Sequence, residues 1–183
     1  SEGEGDNIGV LTGIAQSSDG WSKGERVLYG YYPYNPPSNT ASEMPSSIPD
    51  IQRQDVENPL AHVGTESIMT TIKEFSFENS ENSSLALEPI TAVIQFELTN
   101  NTNEELQVDK LVLRTEGTPL YKSAVYSFRD DRITFPDAGQ ITSMTVQPDQ
   151  TMVLAVEEKA IFSFVVFPFT IPRGGELILE LYT

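Results

Sequence analysis

The sequence predicts an antiparallel all-β sandwich, and three observations carry that expectation. From residue 85 onward, apolar segments of strand length recur at short intervals, at 90–98, 106–114, 120–128, 141–146, 152–156, 161–169 and 177–182. The intervals hold Pro, Gly, Asn and Asp, residues that accept or fix turn geometry, as in Glu116-Gly117-Thr118-Pro119 and Pro172-Arg173-Gly174-Gly175. No apolar pattern with a helical period runs long enough to compete. At 183 residues and 38% hydrophobic, with nine Phe and seven Tyr, the chain can bury one core.

Taken in order, residues 1–7 are mostly Gly, Ser and acid and predict a flexible start, with residues 8–183 forming one sandwich domain. Segments 8–14, 26–34 and 72–77 read as strands. Residues 35–49 carry Pro36, Pro37, Pro45 and Pro49 among Ser, Asn and Thr, so a long surface loop is expected there. Segment 161–167 is apolar on both faces, which predicts a central strand covered on both sides. In the last segment Leu177, Leu179 and Leu181 alternate with Ile178, Glu180 and Tyr182, placing an apolar row on one face. The chain lacks an initiating Met and a signal peptide, so an export signal is expected upstream. Its longest apolar run, 160–171, is too short to span a bilayer.

Charge and composition narrow the function classes. Eleven Lys and Arg against 27 Asp and Glu leave a formal charge of −16, which repels phosphate backbones and anionic lipid surfaces. Nucleic-acid partners are therefore not expected. The absence of Cys removes disulfides, thiolate metal sites and a Cys nucleophile. The single His62 permits at most one triad or metal role and reads as a loop or satisfied histidine. No phosphate loop, EF-hand or His-Glu-x-x-His run is present. The carboxylate pairs Glu104-Glu105, Asp130-Asp131 and Glu157-Glu158 lie between apolar runs and read as solvated turns, without the Asp/Asn alternation of a calcium loop. Neither catalysis, nor a cofactor, nor a metal is expected. Asn82-Ser83-Ser84 and Asn100-Asn101-Thr102 match the glycosylation sequon, a pattern common by chance.

The most unusual local feature is Tyr29-Gly30-Tyr31-Tyr32-Pro33-Tyr34. In an extended chain Tyr29 and Tyr31 face one way while Tyr32 and Tyr34 face the other, so the rings do not make one platform. Clustered Tyr can stack on sugars, or pack inward with the hydroxyls at a polar rim.

Tyr31-Tyr32-Pro33-Tyr34-Asn35, a polar loop and then Ile48-Pro49-Asp50-Ile51-Gln52-Arg53-Gln54-Asp55 resemble the fimbrillin family, the pilins, tip proteins and anchors of type V bacterial fimbriae. Its N-terminal domain is similar in having a Tyr-Tyr-Pro-Tyr-like element and a downstream Gln-x-Gln stretch. The resemblance continues through Ile90-Thr91-Ala92-Val93-Ile94-Gln95-Phe96, residues 111–120, Phe164-Val165-Val166-Phe167-Pro168 and residues 177–181. Many relatives have a His before the middle strand, where this chain has Glu88-Pro89-Ile90. The resemblance implies a transthyretin-like sandwich of about seven main strands with Greek-key connections. It implies a lipoprotein exported to the outer membrane and cell surface, a structural, tip or anchor role in fimbriae, and homologous fimbrial subunits as partners joined by strand donation. The family-like motif is Tyr31, Tyr32, Pro33, Tyr34, Gln52 and Gln54. A strand that adds to an open sheet edge must alternate, and Leu177, Leu179 and Leu181 are the candidate strand-exchange residues, with an ordinary in-domain strand as the other reading. A carbohydrate-binding or adhesin module, taking surface glycans or proteins through residues 29–34, is the alternative function.

Overall fold

A computed structural model of the chain describes residues 25–33, 43–76 and 86–183. In chain order the strands are β1 (Glu25–Tyr32), β2 (Glu43–Ser47), β3 (Ile51–Gln54), β4 (Met69–Ser76), β5 (Glu88–Pro89), β6 (Ala92–Thr99), β7 (Leu106–Val108) and β8 (Lys110–Glu116). They continue with β9 (Leu120–Tyr121), β10 (Ser123–Ser127), β11 (Arg132–Thr134), β12 (Gln140–Ile141), β13 (Ser143–Pro148), β14 (Met152–Leu154), β15 (Lys159–Val166) and β16 (Glu176–Tyr182). One short helix, α1 (Ala61–Glu66), separates β3 from β4. The fold is all-β and sandwich-type, as the period-two pattern requires.

The principal sheet has the order β16-β8-β13-β3, antiparallel except for the parallel pairing of β13 with β3. Its register sets Leu111 and Leu113 beside Val146 and Met144, and all four are fully buried. Across the core lies the two-stranded β15-β6 sheet, whose Phe162 and Phe164 are also fully buried. Phe96 on β6 meets Phe164 edge to face at 5.9 Å, adding the quadrupolar preference of aromatic pairs to the area they bury. A second lobe of the same core is built by β11-β10-β2 and β1-β4-β5 around Met44, Ile48, Ile68, Tyr126 and Phe128.

Several expected segments are split by single residues. Asp109 divides 106–114 into β7 and β8, Lys122 divides 120–128 into β9 and β10, and Thr142 separates β12 from β13. The two halves then pair with different neighbours, so each break turns the chain from one sheet to the next. Segment 8–14 lies outside the described residues.

The 35–49 loop needs correction. Its C-terminal part, Glu43–Ser47, is strand β2, paired antiparallel with β10, with Pro45 opposite Val125. Proline lacks the N–H that an inner strand must donate, yet β2 sits at the edge of its sheet, where that loss is tolerated. Met44 on the same strand is buried and anchors it to the core. Strand β15 differs from expectation in another way: Phe162 through Phe167 are buried, as a strand covered on both faces should be, but among the described residues β6 is its only strand neighbour.

Candidate functional site at the sheet edges

What occupies the second edge of β15 is a set of side chains. Strand β3 pairs with β13 so that Gln52 lies opposite Val146 and Gln54 opposite Pro148, which turns both glutamines to the core face and leaves Ile51 and Arg53 outside. Both glutamines are 0% exposed, whereas Ile51 is 56% exposed. Amides in an apolar core require partners. Gln52 Nε2 donates to the Val165 carbonyl at 2.6 Å, and Val165 N–H donates to Gln52 Oε1 at 2.8 Å. One step along, Gln54 Nε2 donates to the Ile161 carbonyl at 2.7 Å and Ser163 N–H donates to Gln54 Oε1 at 3.0 Å.

Helix α1 adds a third plug. Its buried His62 places Nε2 at 2.8 Å from the Ser163 carbonyl. A carbonyl only accepts, so Nε2 carries a proton, while Nδ1 is buried without a partner. Glu66, four residues on and hence on the same helix face, has a buried Oε2 that is likewise without a partner. Desolvation holds its carboxyl at about 7, well above its ordinary 4.5. In this way three side chains close an edge that would otherwise present unpaired N–H and C=O groups.

Strand β16, at the edge of the principal sheet, is closed by nothing among the described residues. Its register against β8 sets Leu181 beside Leu111 and Leu179 beside Leu113, so the Leu177, Leu179 and Leu181 row shares the core face. Yet these leucines are 39%, 39% and 40% exposed, whereas Leu111 and Leu113 are 0% exposed. The opposing β15-β6 layer is two strands wide and the principal sheet four, so the leucine row reaches past the cover. On the other face of this edge, Arg114 and Glu180 form a 3.2 Å ion pair and Lys110 lies over the Tyr182 ring at 4.4 Å. The Glu180 carboxylate accepts from the Tyr182 hydroxyl and holds that phenol's pKa above its ordinary value.

The tyrosine element lies in the other lobe. Tyr29 and Tyr31 share a face of β1 and approach Phe128 at 5.1 and 6.4 Å, while Tyr32 stands 43% exposed before a cis Tyr32-Pro33 peptide bond. Tyr34 lies outside the described residues. The sequence motif therefore spans two lobes: Tyr31 packs against the core in one, and Gln52 and Gln54 close a strand edge in the other.

The remaining polar candidates occupy turns. Glu104-Glu105, Asp130-Asp131 and Glu157-Glu158 are exposed, with Asp131 and Glu157 at positive φ. Asp131 accepts a hydrogen bond from the Tyr126 hydroxyl; burial of the phenol, then this bond, raises its pKa. Asn100, marked in the sequence only by its sequon, is 1% exposed, and its amide donates to the Glu104, Leu154 and Ala155 carbonyls at 2.9, 2.9 and 3.1 Å. That sequon is closed to an enzyme acting on the folded chain. Asn82 lies outside the described residues. No group of three His, Asp or Glu among the described residues could hold a metal, and no described helix is long and apolar enough to cross a membrane.

No protein-family model matches the chain, and no curated protein does. Its fold is similar to a solved structure named "putative cell adhesion protein" from Bacteroides ovatus, with a TM-score of 0.52 and 14% sequence identity. The likeness covers 92% of this chain and 58% of that one, so this chain spans little more than half of its length.

Proposed function

We propose that this chain is a cell-surface adhesion module of the fimbrillin type, a structural, tip or anchor subunit of bacterial fimbriae that associates with its neighbours through a sheet edge. The observation that carries the reading is the contrast between two edges. At β15 the sandwich closes its edge with Gln52, Gln54 and His62. At β16 it leaves an apolar, alternating row half-exposed, which is what strand addition uses: main-chain groups for affinity and alternate side chains for fit. The fold likeness to the Bacteroides ovatus protein, together with that protein's name, supports an adhesion role and a surface location. In this reading the module works by contact and carries out no catalysis.

Immunogold labelling of intact cells expressing the full-length gene tests it. Label at the surface, and along filaments if the protein is a stalk subunit, is expected; label found only after cells are broken open overturns the proposal.

The exposure of Tyr29 and Tyr32 favours a second reading, a glycan-binding module. Saturable sugar binding lost in the Tyr32→Ala/Tyr34→Ala double variant, with the melting temperature retained, is its expected signature. A flat titration across a glycan array sinks it.

A further inference from the structure

Strand β16 is complementary to itself. Residues directly opposite one another in antiparallel strands share a sheet face. When two copies of β16 are set about a two-fold axis at Leu179, that residue meets Leu179 of the second copy and Leu177 meets Leu181, so the half-exposed rows join into one ladder. On the outer face the same register sets Ile178 against Glu180 and Glu176 against Tyr182. Sliding the copies by two residues either opposes Glu176 with Glu180 or opposes Glu180 with itself. Like charges directly opposite destabilise a strand pair. Of these registers, only the one centred on Leu179 matches all three leucines and also separates the carboxylates.

We infer that the chain forms a two-fold dimer in which β16 pairs with β16 of a second copy, joining the two four-stranded sheets edge to edge. The inference rests on the edge-association part of the reading above and is independent of where the protein resides. Each copy carries a formal charge of −16, so the dimer tightens as salt screens their repulsion.

The absence of Cys makes the register directly readable. Opposed residues in an antiparallel pair have Cα atoms about 4.5–5.5 Å apart, within disulfide reach. Under mild oxidation the Leu179→Cys chain is expected to cross-link to itself. Leu177→Cys is not, yet it links to Leu181→Cys when the two are mixed. In sedimentation, the wild-type mass rises toward twice the monomer with concentration. Leu179→Lys weakens association by about tenfold or more, and Ile178→Glu, which faces Arg114 within its own sheet and is set against Glu180 of the second copy, weakens it several-fold. Should Leu179→Lys fail to fold, the outer-face Ile178→Glu and the paired cysteine variants still decide.

A chain that stays monomeric into the millimolar range overturns the inference. So does self-cross-linking of the Leu177→Cys chain as readily as of the Leu179→Cys chain. A monomeric Leu179→Cys variant whose thiol no reagent can reach, because another segment covers it, overturns it as well. Any of these leaves surface labelling free to succeed, and intracellular labelling leaves the dimer standing.

Discussion

Gln52 meets Val165 as a neighbouring strand would, its amide donating to the Val165 carbonyl at 2.6 Å and accepting from the Val165 N–H at 2.8 Å. A primary amide carries the same donor and acceptor as a peptide group, so one side chain from the facing sheet can stand in for one residue of a missing strand. Gln54 repeats the arrangement at Ser163 and Ile161. The Gln-x-Gln spacing is thus a two-residue copy of a β-ladder, set at the two-residue period of the edge it closes.

Replacing Gln52 with Leu keeps the volume roughly constant and leaves a buried N–H and C=O of Val165 without partners. A loss of about 2–4 kcal/mol is expected, read as a lowered urea midpoint. Gln52→Glu should cost more, because a carboxylate can accept from the Val165 N–H but turns a second oxygen toward its carbonyl. Equal stability of the Leu and wild-type chains would show that the ladder contributes nothing net.

Glu66 makes stability depend on pH. Its carboxyl pKa stands at about 7 in the folded chain against 4.5 ordinarily, so folding favours the protonated form. The carboxyl imposes no penalty below about pH 4.5; stability declines as pH rises from there through about 7, and the cost is complete above. Glu66→Gln is therefore expected to raise stability by about 1 kcal/mol near pH 8, with solvent screening taken into account, and to change nothing near pH 4. Chemical denaturation at both pH values checks this; a gain of equal size at pH 4 would refute it.

Asn100 ties two turns together, its own between β6 and β7 and the one between β14 and β15. Its amide serves three carbonyls, and its oxygen accepts from the Thr102 N–H and hydroxyl at 3.0 and 2.8 Å. Its main chain also bonds to Glu157 and Glu158. Asn100→Asp sets a carboxylate against carbonyl oxygens and should cost about 3 kcal/mol or more, while Asn100→Ala should cost about 2 kcal/mol. The difference between the two in a thermal melt is the informative quantity, and an Asp variant as stable as Ala would argue that the site admits water.

Gly175 allows the turn before β16 to close on β8. A Cβ there would stand 2.7 Å from the Glu116 carbonyl oxygen and 3.1 Å from Ile171 and Pro172, and the neighbouring Gly174 takes φ +88°. Gly175→Ala is expected to destabilise the chain by about 1–3 kcal/mol and to speed hydrogen exchange in β16 ahead of β13. Uniform exchange across both strands would place the strain elsewhere.

The alternation of Leu177, Leu179 and Leu181, the apolar run at 161–167 and the turn residues between segments determined by themselves that the chain folds largely as strands, and roughly where the longer ones lie, though not β2, β3 or β11. Those signals are local, since the period of two and the chemistry of turns belong to neighbouring residues. Only the tertiary structure decided which polar residues go inside. In Ile51-Gln52-Arg53-Gln54 a hydrophobic reading puts Ile51 in the core; the fold inverts it, because the open edge of β15 offers the amides partners that no local pattern records. Pro45 in β2 obeys the same rule, its place depending on lying at a sheet edge. So does the leucine row, whose apolar character is written in the chain but whose exposure follows from the unequal widths of the two facing sheets. Most strand signals lie among neighbours in sequence; edge and cover are set by residues distant along the chain, 113 positions apart for Gln52 and Val165, and only folding brings those together.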